Sequence, residues 1–112
     1  MHKIPVKHLP TFSERVLKAA LFIPRGRVST YGRIARVAGA GPMAAQSITT
    51  ILGKAYDAGE RGIPFHRIVY ADGRIWISER YRKERMKLYK KEGIKVDKQS
   101  RIENFADVFY GF

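Results

Sequence analysis

The stretch Ile63-Pro64-Phe65-His66-Arg67-Ile68-Val69 is the most informative part of this chain for both fold and function. It sets an aromatic side chain between a proline and a histidine, and an arginine and two β-branched residues follow. The run Arg67–Tyr70, a turn at Ala71–Gly73 and the run Arg74–Ile77 predict a β-hairpin. We therefore expect a segment with polar and aromatic side chains that leads into a small sheet.

Upstream of residues 63–69 the sequence predicts a helix-turn-helix unit. Ser29 or Thr30 is suited to cap a helix that ends at Gly39. Pro42 is suited to the first position of the next helix, which we expect to run through about Leu52. Two short helices joined by a tight glycine-containing turn form such a unit.

Further helices are predicted on either side of this core. The capping-box pattern at Thr11–Glu14 begins a helix that runs to about Phe22. The segment Gly53–Gly62 has the composition of a loop, and a fourth helix is expected from Ser78 to about Glu92. Apolar residues beyond it are expected to pack back on the body: Ile102, Phe105, Val108 and Phe109.

Composition restricts the possible partners and chemistry. The 112 residues carry 22 Lys and Arg against 10 Asp and Glu, a formal net charge of +12, so the expected partner is a polyanion, above all nucleic acid. A merely solubilising surface is the alternative. The absence of cysteine excludes disulfides, thiolate zinc sites and cysteine nucleophiles.

Location and domain organisation are predicted from what the sequence lacks. No apolar run approaches the roughly 20 residues of a membrane span, and Met1–Pro5 has no signal-peptide core. We expect a single domain over residues 1–112 that has no membrane partner. We expect it in the cytoplasm, associated with the nucleoid, or in the nucleus if the source is a eukaryote.

The opening stretch resembles the active-site strip of the O⁶-alkylguanine-DNA alkyltransferases, Pro-Cys-His-Arg-Val, with Phe65 at the cysteine position. Residues Ser29–Ala35, Asp72–Ile75 and Leu88–Ile94 follow the family's pattern in the right order. A phenyl ring cannot accept an alkyl group, so the chain is most similar to the alkyltransferase-like proteins, which usually carry tryptophan there. The resemblance implies a mainly α fold with a small β-hairpin, winged helix-turn-helix-like as in the alkyltransferase C-terminal domain, and no cofactor.

The resemblance also implies a DNA interface centred on the third helix, which the family inserts into the minor groove. Small residues allow such an approach, although they also suit plain helix packing. Gln46 stands where the family has an intercalating arginine, and glutamine lacks the cation and the planar fork. The predicted DNA-binding residues are Tyr31, Arg33, Ala44, Ala45, Gln46, Ser47 and Arg67.

A pocket for a flipped nucleotide is implied next to this interface. Phe65 would supply an aromatic wall for the base, and Tyr31 matches the family's phosphate-rotating tyrosine. Both residues are also ordinary core types. The predicted pocket residues are Tyr31, Phe65, Trp76, Ser78 and Arg80.

His66 and Glu92 match the pair that activates the cysteine in the true transferases. With Phe65 in place we expect both to be structural. A general acid–base pair for hydrolysis is the alternative, but no nucleophile accompanies it, and no metal site is expected.

The sequence thus predicts a monomeric, non-enzymatic protein that binds duplex DNA containing O⁶-alkylguanine and flags the lesion for repair, with nucleotide-excision proteins as possible partners. One alternative is a winged-helix regulator or architectural protein without lesion specificity. Another is a repair enzyme such as a glycosylase. Preference for alkylated over plain duplex distinguishes the first two, and release of a base would reveal the third.

Overall fold

The computed structural model describes residues 10–112; residues 1–9, and with them the expectation drawn from Met1–Pro5, lie outside the described part. The fold is mainly helical with one small two-stranded sheet, as predicted. Its elements are α1 (Phe12–Phe22), β1 (Ser29–Thr30), α2 (Tyr31–Val37), α3 (Ala45–Asp57), β2 (Ile68–Val69), α4 (Arg82–Lys91) and α5 (Phe105–Val108), with 3-10 turns at Pro42–Ala44, Phe65–Arg67 and Glu79–Tyr81. Within residues 10–112, no helix is both long and apolar enough to cross a membrane.

Helices α1, α2 and α3 pack around one apolar core. The predicted capping box begins α1: the backbone N–H of Glu14 donates to Thr11 Oγ1 at 3.1 Å, and the Glu14 carboxylate accepts from the Thr11 N–H at 2.7 Å. Thr30 caps α2 through its hydroxyl, which accepts from the Arg33 N–H at 3.1 Å. The core residues contributed by these helices are Val16, Ala19, Ala20, Ile34, Ala35, Ile48 and Leu52.

Helix α3 is longer than predicted and ends at Asp57, five residues beyond Leu52. Gly53 does not break it, because a single glycine costs a helix interior only about 1 kcal/mol relative to alanine. Ile51, Leu52 and Ala55 continue the helical spacing and pack on the core. The segment predicted as a loop therefore shortens to residues 58–62, with Gly59 at φ +115°.

The predicted β-hairpin is wrong in its pairing. The turn exists, since the Tyr70 N–H donates to the Arg74 carbonyl at 2.9 Å. Beyond it, however, the N–H of Ile75 donates to Ser100 at 2.8 Å, so a later segment takes the place of the returning strand. Strand β2 instead pairs in parallel with β1. Ile68 and Val69 are both buried, and burial on both faces is typical of a parallel strand.

A second apolar cluster lies between α4 and the C-terminal segment. The predicted packing of that segment is confirmed: Ile102 is buried, and Phe105 and Val108 contact the cluster. Val28 joins the segment to the sheet, because its N–H donates to the Val108 carbonyl at 2.9 Å and its carbonyl accepts from the Tyr110 N–H at 2.6 Å. The buried members of the cluster are Val28, Val69, Ile75, Tyr89, Ile94 and Ile102.

Candidate functional site

The helix-turn-helix leaves the first turn of α3 open to solvent. Gln46 and Ser47 are exposed, Ala44 and Ala45 are half-buried, and Ile48 faces the core. Among the residues that the structure describes, no side chain forms a capping hydrogen bond at the start of this helix. Free N–H groups and the helix dipole favour an anion such as phosphate. The small and uncharged surface of this turn would let a nucleic-acid backbone approach it closely.

The other predicted DNA-binding residues have partners within the protein. Tyr31 begins α2 and its ring lies 5.4 Å from that of Tyr70. The Arg33 guanidinium lies over the Phe109 ring at 5.7 Å. Arg67 donates to both carboxylate oxygens of Glu92 and to a backbone carbonyl. The structure thus gives Arg67 a structural role, and its contact with DNA stays a prediction.

A cavity of about 530 Å³ opens beside α3, between that helix, the Ile63–His66 stretch and the start of α4. Five aromatic side chains line it besides His66, and three of them, Tyr56, Trp76 and Tyr81, keep 42–43% of their surface exposed. The volume falls in the range of small-ligand sites. The described lining residues are Tyr31, Thr49, Leu52, Gly53, Tyr56, Asp57, Arg61, Ile63, Phe65, His66, Ile68, Trp76, Tyr81, Glu84, Arg85 and Leu88.

The cavity brings together only part of the predicted pocket. Tyr31, Phe65 and Trp76 line it, from three different segments of the chain. The described lining does not include Ser78 or Arg80. The Ser78 hydroxyl is buried and has no hydrogen-bond partner among residues 10–112, and the exposed Arg80 lies over the Tyr81 ring at 5.5 Å. The three aromatic residues predicted for the pocket thus share one cavity, whereas Ser78 and Arg80 lie outside its described lining, and contact of any of them with a lesion stays a prediction.

Sequence reasoning missed two groups of lining residues. Tyr56 lies on α3 one turn after Leu52, within the segment whose composition predicts a loop. Its ring meets that of Phe65 edge-on at 6.0 Å. Tyr81, Arg85 and Leu88 stand at i, i+4 and i+7 along the 3-10 turn and α4, so their spacing already indicated a common face.

A hydrogen-bond network fixes the turn that carries Phe65. His66 Nε2 lies 2.7 Å from Glu92 Oε2, which also accepts from Arg67 Nη2 at 2.7 Å. The N–H of Gly26 donates to the other oxygen at 2.9 Å. Arg67 Nη1 donates in addition to the Ile23 carbonyl at 3.0 Å. The network joins this turn to the end of α4 and to the α1–β1 loop.

Burial and hydrogen bonding determine the protonation states of Glu92 and His66 in this network. Burial raises the pKa of Glu92, but hydrogen bonds from Arg67, Gly26 and His66 outweigh it and hold the pKa at about 2. Burial lowers the pKa of His66, and its hydrogen bond to Glu92 only partly opposes this. His66 is thus neutral at neutral pH and donates its Nε2–H to the carboxylate. The residue before His66 in the chain is Phe65, whose phenyl ring is not a nucleophile.

Comparison with known proteins shows one consistent family. The sequence model of the 6-O-methylguanine DNA methyltransferase DNA-binding domain matches residues 11–94. A curated relative, the DNA base-flipping protein of Escherichia coli (strain K12), is 29% identical over 93 residues, which are 83% of this chain and 70% of the relative.

Solved structures show the same relationship in three dimensions. Schizosaccharomyces pombe (S. pombe) Atl1, in complex with damaged DNA containing O6-carboxymethylguanine, superimposes with a TM-score of 0.70 at 28% identity, covering 88% of this chain and 94% of that one. A Mycobacterium tuberculosis OGT variant gives a TM-score of 0.56 at 30% identity, over 74% of this chain and 48% of that one.

Proposed function

Because this chain belongs to the alkyltransferase-like branch of the 6-O-methylguanine DNA methyltransferase family, we propose that it binds duplex DNA and recognises alkylated guanine without repairing it. The observation that carries the proposal is the aromatic cavity next to α3, with Phe65 on its wall at the family's cysteine position. A stacking surface can hold a purine that has left the duplex. The 112 residues contain no thiol to accept an alkyl group.

In the proposed complex α3 enters the minor groove through its small-residue first turn, and the flipped base enters the cavity. The exposed Gln46 fills the gap that the base leaves. The name of the E. coli relative and the damaged DNA bound to S. pombe Atl1 support this arrangement. The bound protein then marks the lesion for other repair proteins, including those of nucleotide excision, in whichever compartment contains the DNA.

Equilibrium binding to matched duplexes tests the proposal. Fluorescence anisotropy would compare a guanine duplex with one containing O⁶-methylguanine, each at two salt concentrations. We expect tighter binding to the methylated duplex. Contact with about five phosphates would give a log–log salt slope near −4 to −5 for both duplexes. Equal affinities at both salt concentrations would favour a DNA-binding protein without lesion specificity, and a flat salt response would contradict DNA binding by charge.

A further inference from the structure

Two guanidinium groups of the cavity are held by aromatic rings rather than by carboxylates. The Arg85 guanidinium lies 5.6 Å from the centre of the Trp76 ring and donates to the Trp76 carbonyl at 3.3 Å. The Arg61 guanidinium lies 4.0 Å from the centre of the Tyr56 ring. Among residues 10–112, neither group has a carboxylate oxygen within 4.0 Å. A guanidinium with free donors is suited to bind a planar anion.

Two carboxylates, Asp57 and Glu84, also line the cavity. The formal charges therefore balance, and they do not show whether the electrostatic potential in the cavity is positive or negative. The exposure of the two acids differs from that of Arg85: both acids are exposed, whereas Arg85 is half-buried. Solvent screens an exposed charge much more than a partly buried one. Burial raises the pKa of Tyr31 and of Tyr89 and lowers the pKa of His66, and the charge of Arg85 opposes the first two shifts and adds to the third. Arg85 is therefore the least screened charge among the described charged residues that line the cavity.

We propose that this cavity selects alkylguanines whose O⁶ substituent carries a negative charge, with Arg85 as the specificity-determining residue and the exposed Arg61 as a second cation. The inference rests on the proposed function, because it names the class of lesion that the same cavity takes. The aromatic walls hold the purine in any adduct. Arg85 distinguishes the substituents, because it donates to a carboxylate more strongly than to a neutral acceptor.

A pair of duplexes that differ only in charge at the substituent tests this selectivity. One contains O⁶-carboxymethylguanine, the other its neutral amide O⁶-carbamoylmethylguanine, and plain guanine serves as reference. The three duplexes have the same number of phosphates, so backbone attraction cancels in the ratio of affinities. We expect the carboxylate duplex to bind about ten-fold more tightly than the amide duplex, as for a charge-assisted hydrogen bond.

Variants assign the effect to a residue. Arg85→Met should bring the ratio close to one and Arg61→Met should lower it less, while both keep a preference for the amide adduct over plain guanine. Arg82→Met is the matched control, since Arg82 is exposed on the same helix outside the described cavity lining and should leave the ratio unchanged. Glu84→Gln should raise the ratio by removing an opposing charge.

Three results would overturn the inference. A wild-type ratio near one, with both adducts bound better than guanine, would refute charge selectivity and leave the proposed function standing. An equal loss for both adducts in Arg85→Met would mean that Arg85 pairs with a backbone phosphate instead. Failure to bind either adduct better than guanine would refute the proposed function as well.

Discussion

Glu92 Oε2 lies 2.7 Å from His66 Nε2, and the same carboxylate accepts two hydrogen bonds from Arg67 at 3.0 and 2.7 Å through its two oxygens. The Glu92 side chain is only 6% exposed, so this is a nearly buried network of one carboxylate and two basic side chains. It holds the turn that carries Phe65 against the end of α4. We therefore expect these three side chains, the Glu92 network, to stabilise that turn.

Acid should destabilise the fold by protonating the Glu92 network. The pKa of Glu92 is about 2 in the fold against 4.5 ordinarily, so its contribution is fully present above pH 4.5 and is lost as the pH falls towards 2. The pKa of His66 is lowered from 6.5, so this group also binds more protons when unfolded and destabilises the fold as the pH falls below 6.5. We expect the free energy of unfolding to fall by up to about 3 kcal/mol from Glu92 alone. Urea denaturation at pH 7, 5.5, 4 and 2.5 would measure the fall, most of which should occur below pH 4.5.

Glu92→Gln isolates the contribution of the carboxylate. It leaves the half-buried Arg67 without its counter-charge, and breaking such a pair costs about 3–5 kcal/mol. Glu103→Gln is the control, because Glu103 is exposed and makes no ion pair among residues 10–112. If the two variants unfolded at the same urea concentration, the network would not stabilise the fold.

No alkyl group should be transferred to the protein. After incubation with an O⁶-methylguanine duplex, intact-mass spectrometry should show the unmodified chain, since no cysteine is present. Phe65→Cys places a thiol beside His66, and we expect at most feeble transfer from it because the cavity is shaped around an aromatic ring. A stoichiometric methyl adduct on the wild-type chain would contradict the prediction.

Phe65 should determine lesion preference rather than general DNA affinity. Phe65→Ala removes one aromatic wall, and loss of stacking costs about 1–3 kcal/mol per base, so affinity for alkylated duplex should drop about ten-fold or more. Affinity for plain duplex should change little. Phe22→Ala is the control, since Phe22 is 63% exposed on α1 and lies outside the described lining of the cavity. Equal weakening of both duplexes by Phe65→Ala would mean that this ring does not contact the base.

Gln46 should act on both duplexes alike, because it lies on the exposed first turn of α3 and not in the described cavity lining. Gln46→Ala should weaken binding to plain and alkylated DNA, and Gln46→Arg should strengthen both by adding a cation. The same anisotropy titrations measure it. A change confined to the alkylated duplex would instead assign Gln46 to the lesion pocket.

Local patterns were sufficient to predict much of this molecule. The capping box at Thr11 and the cap at Thr30 each depend on residues within one turn of each other, so the sequence indicates them directly. The small-residue start of α3 and the position of Phe65 followed from the family pattern. Each of these features is set by short-range chemistry.

Long-range pairing was not predictable in the same way. A hairpin between residues 67 and 77 is the shortest closure that the sequence offers, but Ile75 pairs with Ser100 and β2 pairs with β1, and nothing local indicates either choice. The cavity shows the same limit. Arg61 and Arg85 are 24 positions apart, and only tertiary packing brings both to one cavity.

The hydrogen bond from Tyr110 to the carbonyl of Val28 has a kinetic consequence. It joins two residues that are 82 positions apart in the chain. Residues 108–110 thereby lie beside Val28, next to the start of β1. Contacts so distant in sequence form slowly, because chain entropy is lost before they contribute. On the ribosome, α1 to α3 can therefore assemble while the outer side of β1 still lacks its partner. The second apolar cluster stays open to solvent until residue 110 has been synthesised, and this interval is when the nascent chain is most exposed to aggregation.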